Sequence, residues 1–244
     1  MQGKQFISLG ASGSVGAGLK VAVATLLVLT GSSVLAQTSG SVSIISDYRY
    51  RGVSLSEGRP VAQVNLGYDS PSGWYAGGFA SSARLDSANT EQLTAYAGYT
   101  SQFFSGLSWE AGASNALFLG VSRYNYAEAF AGLTSDNFSG RIYFSPNYFG
   151  QNARTMYAEI NGAYPFLEKI HLLAHIGLLH PISSTDGDVS DAISRFDSRL
   201  GVSASVADWN AQLAWVVIEK SQSKYPHYED RNPRTLVLSL SYAF

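Results

Sequence analysis

The feature that most constrains this chain is an alternation of apolar and polar side chains, recurring in twelve segments of about ten residues. Thr235 to Phe244 displays it plainly. Leu236, Leu238, Leu240, Tyr242 and Phe244 share one face, while Thr235, Ser239, Ser241 and Ala243 share the other. Strict period two makes such a segment a β-strand with one greasy side. The segments before it run Val42–Arg51, Pro60–Tyr68, Trp74–Ser81, Gln92–Thr100, Gly106–Ala113, Asn125–Leu133, Ser139–Ser145, Thr155–Tyr164, Lys169–Leu179, Arg195–Val206 and Trp209–Lys220. In the first of them Asp47, Arg49 and Arg51 oppose Val42, Ile44, Tyr48 and Tyr50.

A one-sided strand suits either a soluble sandwich or a barrel that turns its greasy face to lipid. Composition favours the barrel. Charged residues make up 14% of the chain, where a soluble domain carries about 25%. Aromatics reach 13%, led by 15 tyrosines, as expected where rings gather at two membrane interfaces. After the leader no run of about 18 apolar residues occurs, so no membrane helix is expected. Connections after odd segments are long and polar: Gly52–Arg59, Ser82–Glu91, Ser114–Tyr124, Pro146–Arg154, His180–Ser194 and Ser221–Pro233. Those after even segments are short: Asp69–Gly73, Ser101–Ser105, Thr134–Phe138, Pro165–Glu168 and Ala207–Asp208. Long outer loops, short periplasmic turns and an even strand number belong to outer-membrane barrels. Tyr68, Trp74, Tyr99, Phe103, Phe104, Phe138, Tyr164, Phe166, Trp209, Tyr242 and Phe244 gather near the short-turn rim as an expected periplasmic girdle.

The other end of the chain fits export. Residues 1–36 carry Lys4 and Lys20, an apolar core from Val21 to Leu29, and small or apolar residues at Val34-Leu35-Ala36. That is the pattern of a cleaved signal peptide, with an apolar core shorter than the roughly 20 residues that span a bilayer. Residues 37–244 are then the barrel. Removing the two leader lysines from 16 basic residues leaves 14 against 18 acidic ones. Mild acidity argues against a nucleic-acid partner, and the absence of cysteine excludes disulfides and thiol chemistry.

Charged residues opposite the apolar rows are the candidate pore lining: Asp47, Arg49, Arg51, Glu110, Glu128, Arg141, Glu159, Arg195, Asp197 and Arg199, with Lys169 beside them. Such a lumen is wet and passes small polar solutes, or else its acids and bases pair across it and only brace the barrel. Twelve strands lie between the eight that side chains fill and the sixteen that leave an aqueous channel, so width does not decide. Arg49, Arg51, Arg195 and Arg199 could form a basic constriction, oriented by Asp47 and Asp197. Enzyme signals are sparse. His171 and His175 share a strand face about 13 Å apart, too far for one metal or proton relay. No Gly-x-Ser-x-Gly, His-Glu-x-x-His or phosphate loop occurs, although a Ser and a His could still meet across strands. Asp186, Asp188 and Asp191 lack the closing Glu of a calcium loop, and Tyr225 to Arg231 reads as a surface loop. No cofactor is implied.

Two resemblances sharpen this. Thr235 to Phe244 resembles the closing strand of bacterial outer-membrane barrels, which implies the barrel assembly machinery as a partner. The stretches Ser46-Asp47-Tyr48-Arg49-Tyr50-Arg51-Gly52-Val53-Ser54, Gly58-Arg59-Pro60-Val61-Ala62-Gln63 and Gly73-Trp74-Tyr75-Ala76-Gly77 resemble the opening of the TorF-type porin family, Gcw_chp. Asn125-Tyr126-Ala127-Glu128 and Phe144-Ser145-Pro146-Asn147-Tyr148-Phe149-Gly150 resemble its middle, while Asn115 to Arg123 departs from it. The resemblance implies an outer-membrane barrel of the porin kind and brings no substrate or site residues. The expectation is therefore an all-β transmembrane antiparallel barrel of about twelve strands in outer-membrane lipid, passing small polar solutes and carrying no enzymatic activity. A closed barrel that binds or scaffolds through its outer loops is the alternative, and a lipid-modifying barrel enzyme the third reading.

Overall fold

Lipid offers no hydrogen bonds, so a sheet placed in it must close on itself. The computed structural model describes residues 37–85, 87–184, 194–219 and 232–244. The expected leader, the acidic loop from Asp186 to Asp191 and the loop from Tyr225 to Arg231 lie outside the described residues. Twelve strands form one closed antiparallel barrel: β1 (Gln37–Ile45), β2 (Val61–Asp69), β3 (Trp74–Leu85), β4 (Ala88–Phe104), β5 (Leu107–Phe118), β6 (Tyr126–Thr134), β7 (Phe138–Ser145), β8 (Ala153–Leu167), β9 (Ile170–Ser184), β10 (Arg195–Val206), β11 (Trp209–Ile218) and β12 (Arg234–Ala243). Each pairs with its chain neighbours, and β1 pairs with β12 from Ser41 opposite Ala243 to Ile45 opposite Ser239. Mutual backbone bonds between Gly40 and Phe244, 3.0 and 2.9 Å, lengthen that seam.

Period two sets what each wall shows. Along β10, Phe196, Leu200 and Val202 point outward, while Arg195, Asp197, Arg199 and Ser203 point into the barrel. Along β12, Leu236, Leu238 and Leu240 face out, and Val237 and Ser239 face in. The short-turn rim carries the expected aromatics. Trp74 meets Tyr99 at a centroid distance of 5.3 Å, Tyr99 meets Trp109 at 5.8 Å, and Trp209 meets Tyr242 at 5.1 Å. Among the described residues no helix is long and apolar enough to cross a membrane.

Two expectations are corrected. The strand expected over Val42–Arg51 stops at Ile45. There Ser46 donates its N–H to Leu238 (2.8 Å) while its hydroxyl accepts the Leu238 N–H (3.0 Å), and the chain then turns into the barrel. The loop expected over Ser82–Glu91 is mostly ladder, with β3 and β4 paired up to Leu85 opposite Ala88. Its polar residues mislead because Arg84 and Asn89 extend the outward face, whereas Ala83, Leu85, Thr90 and Gln92 remain buried inside.

Leu200, 68% exposed at the middle of β10, sits where lipid would cover it. Leu200→Arg is expected to cost about 2–4 kcal/mol in vesicle-embedded protein, measured by reversible urea unfolding.

Candidate functional site

The barrel interior is organised by the segment between β1 and β2, which folds inward. Residues 49–50 pair with 53–54, and both central residues of the turn have positive φ, Arg51 at 50° and Gly52 at 79°. Two positive φ values define the tight hairpin turn whose twist suits its arms, and a non-glycine there is strained. Asp47 holds the hairpin's base: it accepts from Arg49 Nε at 2.7 Å, from Ser56 at 3.2 Å and from the Ser54 hydroxyl. The hairpin is also tied to the wall, because Arg84 donates its backbone N–H to Leu55 and its Nε to Glu57.

At the long-loop end this hairpin meets two short 3-10 turns, 122–124 and 148–150, and together they fill the lumen with rings. Tyr48, Leu55, Phe118, Tyr126, Tyr148 and Phe149 are all buried there. Phe149, itself at φ 51°, stacks on Tyr126 at 4.8 Å and lies 5.5 Å from Phe118. The aromatic pairs add about 0.5–1.5 kcal/mol each beyond the area they bury.

Beside the rings the expected charges lie inside, Asp47, Arg49 and Arg51 from the hairpin and the others from the wall, and most are paired. Arg51 makes two 2.8 Å bonds to Glu128, and its guanidinium lies 4.1 to 5.3 Å from the ring centres of Tyr50, Tyr143, Tyr148 and Tyr157. Arg141 bonds Glu110, which also accepts from the Tyr75 hydroxyl at 2.7 Å. Glu159 accepts from Tyr143 at 3.1 Å. Asp197 lies 2.8 Å from His175 Nε2 and accepts from Tyr157 at 3.2 Å, while His175 Nδ1 reaches Asn161 at 2.7 Å. Glycines make room for the rings on the inner wall: a Cβ at Gly77 would run into Tyr96, and one at Gly98 into Tyr75.

The basic constriction expected from Arg49, Arg51, Arg195 and Arg199 is not one cluster. Arg51 belongs to Glu128 and the tyrosines. Arg49 is spent on Asp47, the Gly52 carbonyl (2.9 Å) and the Asn232 carbonyl (2.8 Å). Arg195 is buried near the long-loop end of β10. Asp197, expected to orient an arginine, holds His175 instead. Lys169 lies exposed in the turn before β9. What Arg49 and Arg199 share is a cavity of ≈ 110 Å³ against β1, β2, β10, β11 and β12, whose other polar lining is Asp47, Ser41, Ser43, Asn65, Gln212, Ser239 and Ser241.

Among the described residues no group of three His, Cys, Asp or Glu side chains could hold a metal. Among the described residues one exposed Ser–His contact occurs, His180 Nδ1 to Ser194 at 2.8 Å, and His180 has no second partner among them. A hydrolytic serine needs its histidine oriented from the other ring nitrogen.

A family model described as a bacterial protein of unknown function, Gcw_chp, matches residues 30–244. The chain belongs to the Gcw_chp family. Among solved structures the Gcw_chp barrel is similar to the KdgM porin, at 14% identity and a TM-score of 0.53, covering 84% of this chain and 99% of that one. It is likewise similar to the NanC porin, at 10% identity and a TM-score of 0.54 with the same coverages. A KdgM porin in complex with disordered oligogalacturonate matches at 12% identity and a TM-score of 0.50, over 85% and 99% of the two chains. At these identities the likeness is one of fold. No curated protein matches the chain.

The sequence carried a signal for the inserted hairpin that alternation concealed. Arg51-Gly52 between Tyr50 and Val53 is a two-residue turn with glycine at its second position. A strand that breaks and folds inward keeps the same period as one that runs straight. The Arg51–Glu128 pair supplies the prediction. Arg51→Met or Glu128→Gln alone should each destabilise the barrel by about 3–5 kcal/mol, and the double variant by less than the sum. Urea midpoints of the three variants in vesicles measure this.

Proposed function

We propose that this protein is an outer-membrane channel for passive diffusion of small polar solutes, narrowed from within by the hairpin between β1 and β2. The observation that carries the reading is the opposition of the two faces: an apolar belt outside, and serine, asparagine, glutamine and charged groups around a cavity inside. A wall built to stay dry has no use for a row of hydroxyls facing inward. The porin-like fold of KdgM and NanC and the TorF-type opening motif support it. The long-loop end faces outward and the short turns face the periplasm, as bacterial barrels do. Passage is governed by size and charge at the constriction, with no covalent step and no cofactor.

The paired interior favours one competing reading, a barrel closed by its own network that acts through its outer loops. Every strong pair described above neutralises a charge that an ion would otherwise meet. The two readings part on whether ions pass.

Single-channel recording in planar bilayers, on protein purified from membranes, separates them. Discrete steps are expected, enlarged in Asp47→Ala, which releases Arg49, Ser54 and Ser56 from the hairpin base, and shifted in ion selectivity in Arg199→Ala. A folded barrel without steps at any voltage, in wild type and in Asp47→Ala, contradicts the channel and favours the closed barrel.

A further inference from the structure

Arg199 is set apart from the other interior arginines described with partners. Its Nε is buried without a hydrogen-bond partner, and among the described residues its guanidinium forms no ion pair at contact distance. The nearby carboxylates are committed elsewhere: Glu159 to Tyr143, and Asp197 to His175 and Tyr157. Yet Arg199 lines the cavity together with four serines, Asn65 and Gln212. A cationic fork without an ion-pair contact, in a cavity whose one carboxylate, Asp47, is already bonded to Arg49, is a half-built recognition site, since an arginine offers two parallel N–H bonds to a carboxylate or phosphate.

We propose that this cavity binds a small hydroxylated monocarboxylate, with the carboxylate on Arg199 and the hydroxyls on the serine and amide side chains of β1, β11 and β12. The site deepens the channel reading, because it names the solute class that the lumen takes, and rests on the lumen being reachable by solutes. Charge selects the monoanion. One guanidinium without an ion-pair contact matches one negative charge, and Asp47, on the cavity wall, disfavours a second. Size agrees. An engineered cavity of about 150 Å³ holds benzene, so ≈ 110 Å³ admits a carboxylate with the first few hydroxylated carbons, the remainder extending along the lumen. The other guanidinium in the cavity, Arg49, is held by Asp47 and two carbonyls and serves as wall.

Isothermal titration calorimetry on the detergent-solubilised protein tests this with three probes: gluconate, its neutral counterpart glucitol, and inorganic phosphate. Gluconate should give saturable binding, glucitol should not, and Arg199→Gln should weaken gluconate at least about tenfold. Arg199→Lys, which keeps the charge and loses the fork, should fall between. Heat-dependent gel mobility of each variant verifies a folded barrel, and the lysine variant carries the test if the glutamine one does not fold. Gluconate and glucitol binding alike, gluconate failing to bind folded wild type, or gluconate binding unchanged in the folded variants would each overturn the site. Phosphate binding more tightly than gluconate would overturn the monocarboxylate assignment. Conductance steps without gluconate binding would sink this site and leave the channel standing; gluconate binding without steps would do the reverse.

Discussion

Closure of the backbone hydrogen-bond ladder is the constraint on which everything else in this protein depends. In a bilayer each unpaired peptide group costs several kcal/mol, so the β1–β12 pairing is a condition for the other eleven strand pairs to exist in lipid at all. Closure also fixes which way each side chain points. A slip of one residue along any strand would expose its polar row to lipid. The alternation of leucines with serines along β12 and of leucine, valine and phenylalanine with arginine and aspartate along β10 therefore holds the register and separates the two solvents.

Inside, packing and electrostatics divide the lumen into zones. The long-loop end is narrowed by rings from the hairpin and the two 3-10 turns. The middle belongs to ion pairs and tyrosine hydroxyls, where a buried pair is stable only while both members remain. On the side of β1, β2 and β10 to β12 the wall changes to serine and amide side chains and leaves a cavity. Arg51 joins the first two zones. The turn that forces it into positive φ also delivers its guanidinium to Glu128 and four tyrosine faces. Those contacts offset a backbone strain on the order of 1–3 kcal/mol.

Much of this was legible in the sequence because period two survives wherever a strand has unlike faces. The count of twelve strands, the bounds of Arg195–Val206 and the inward facing of Glu110, Glu128, Arg141, Glu159, Asp197 and Arg199 all follow from it. What alternation does not encode is where a strand leaves the wall, so the inward break after Ile45 was concealed. It also fails above the membrane belt, where Arg84 and Asn89 look like loop residues although they extend a ladder. The pairing of the charges was not legible either. Which base meets which acid depends on shear and on the hairpin's path, and those set Arg51 on Glu128 and left Arg199 without an acid in contact.

The central claim is that one protein wall separates lipid from water, with the cavity side wet. The absence of native cysteine allows single cysteines to report on it without interference. The most direct measurement is the rate at which a charged, membrane-impermeant thiol reagent modifies Ser239→Cys and Leu240→Cys, adjacent residues on opposite faces of β12, in protein reconstituted in vesicles. Fast modification is expected at position 239, slowed when gluconate is present, and little at position 240. Equal modification of the two, or reaction at 240 alone, would contradict it.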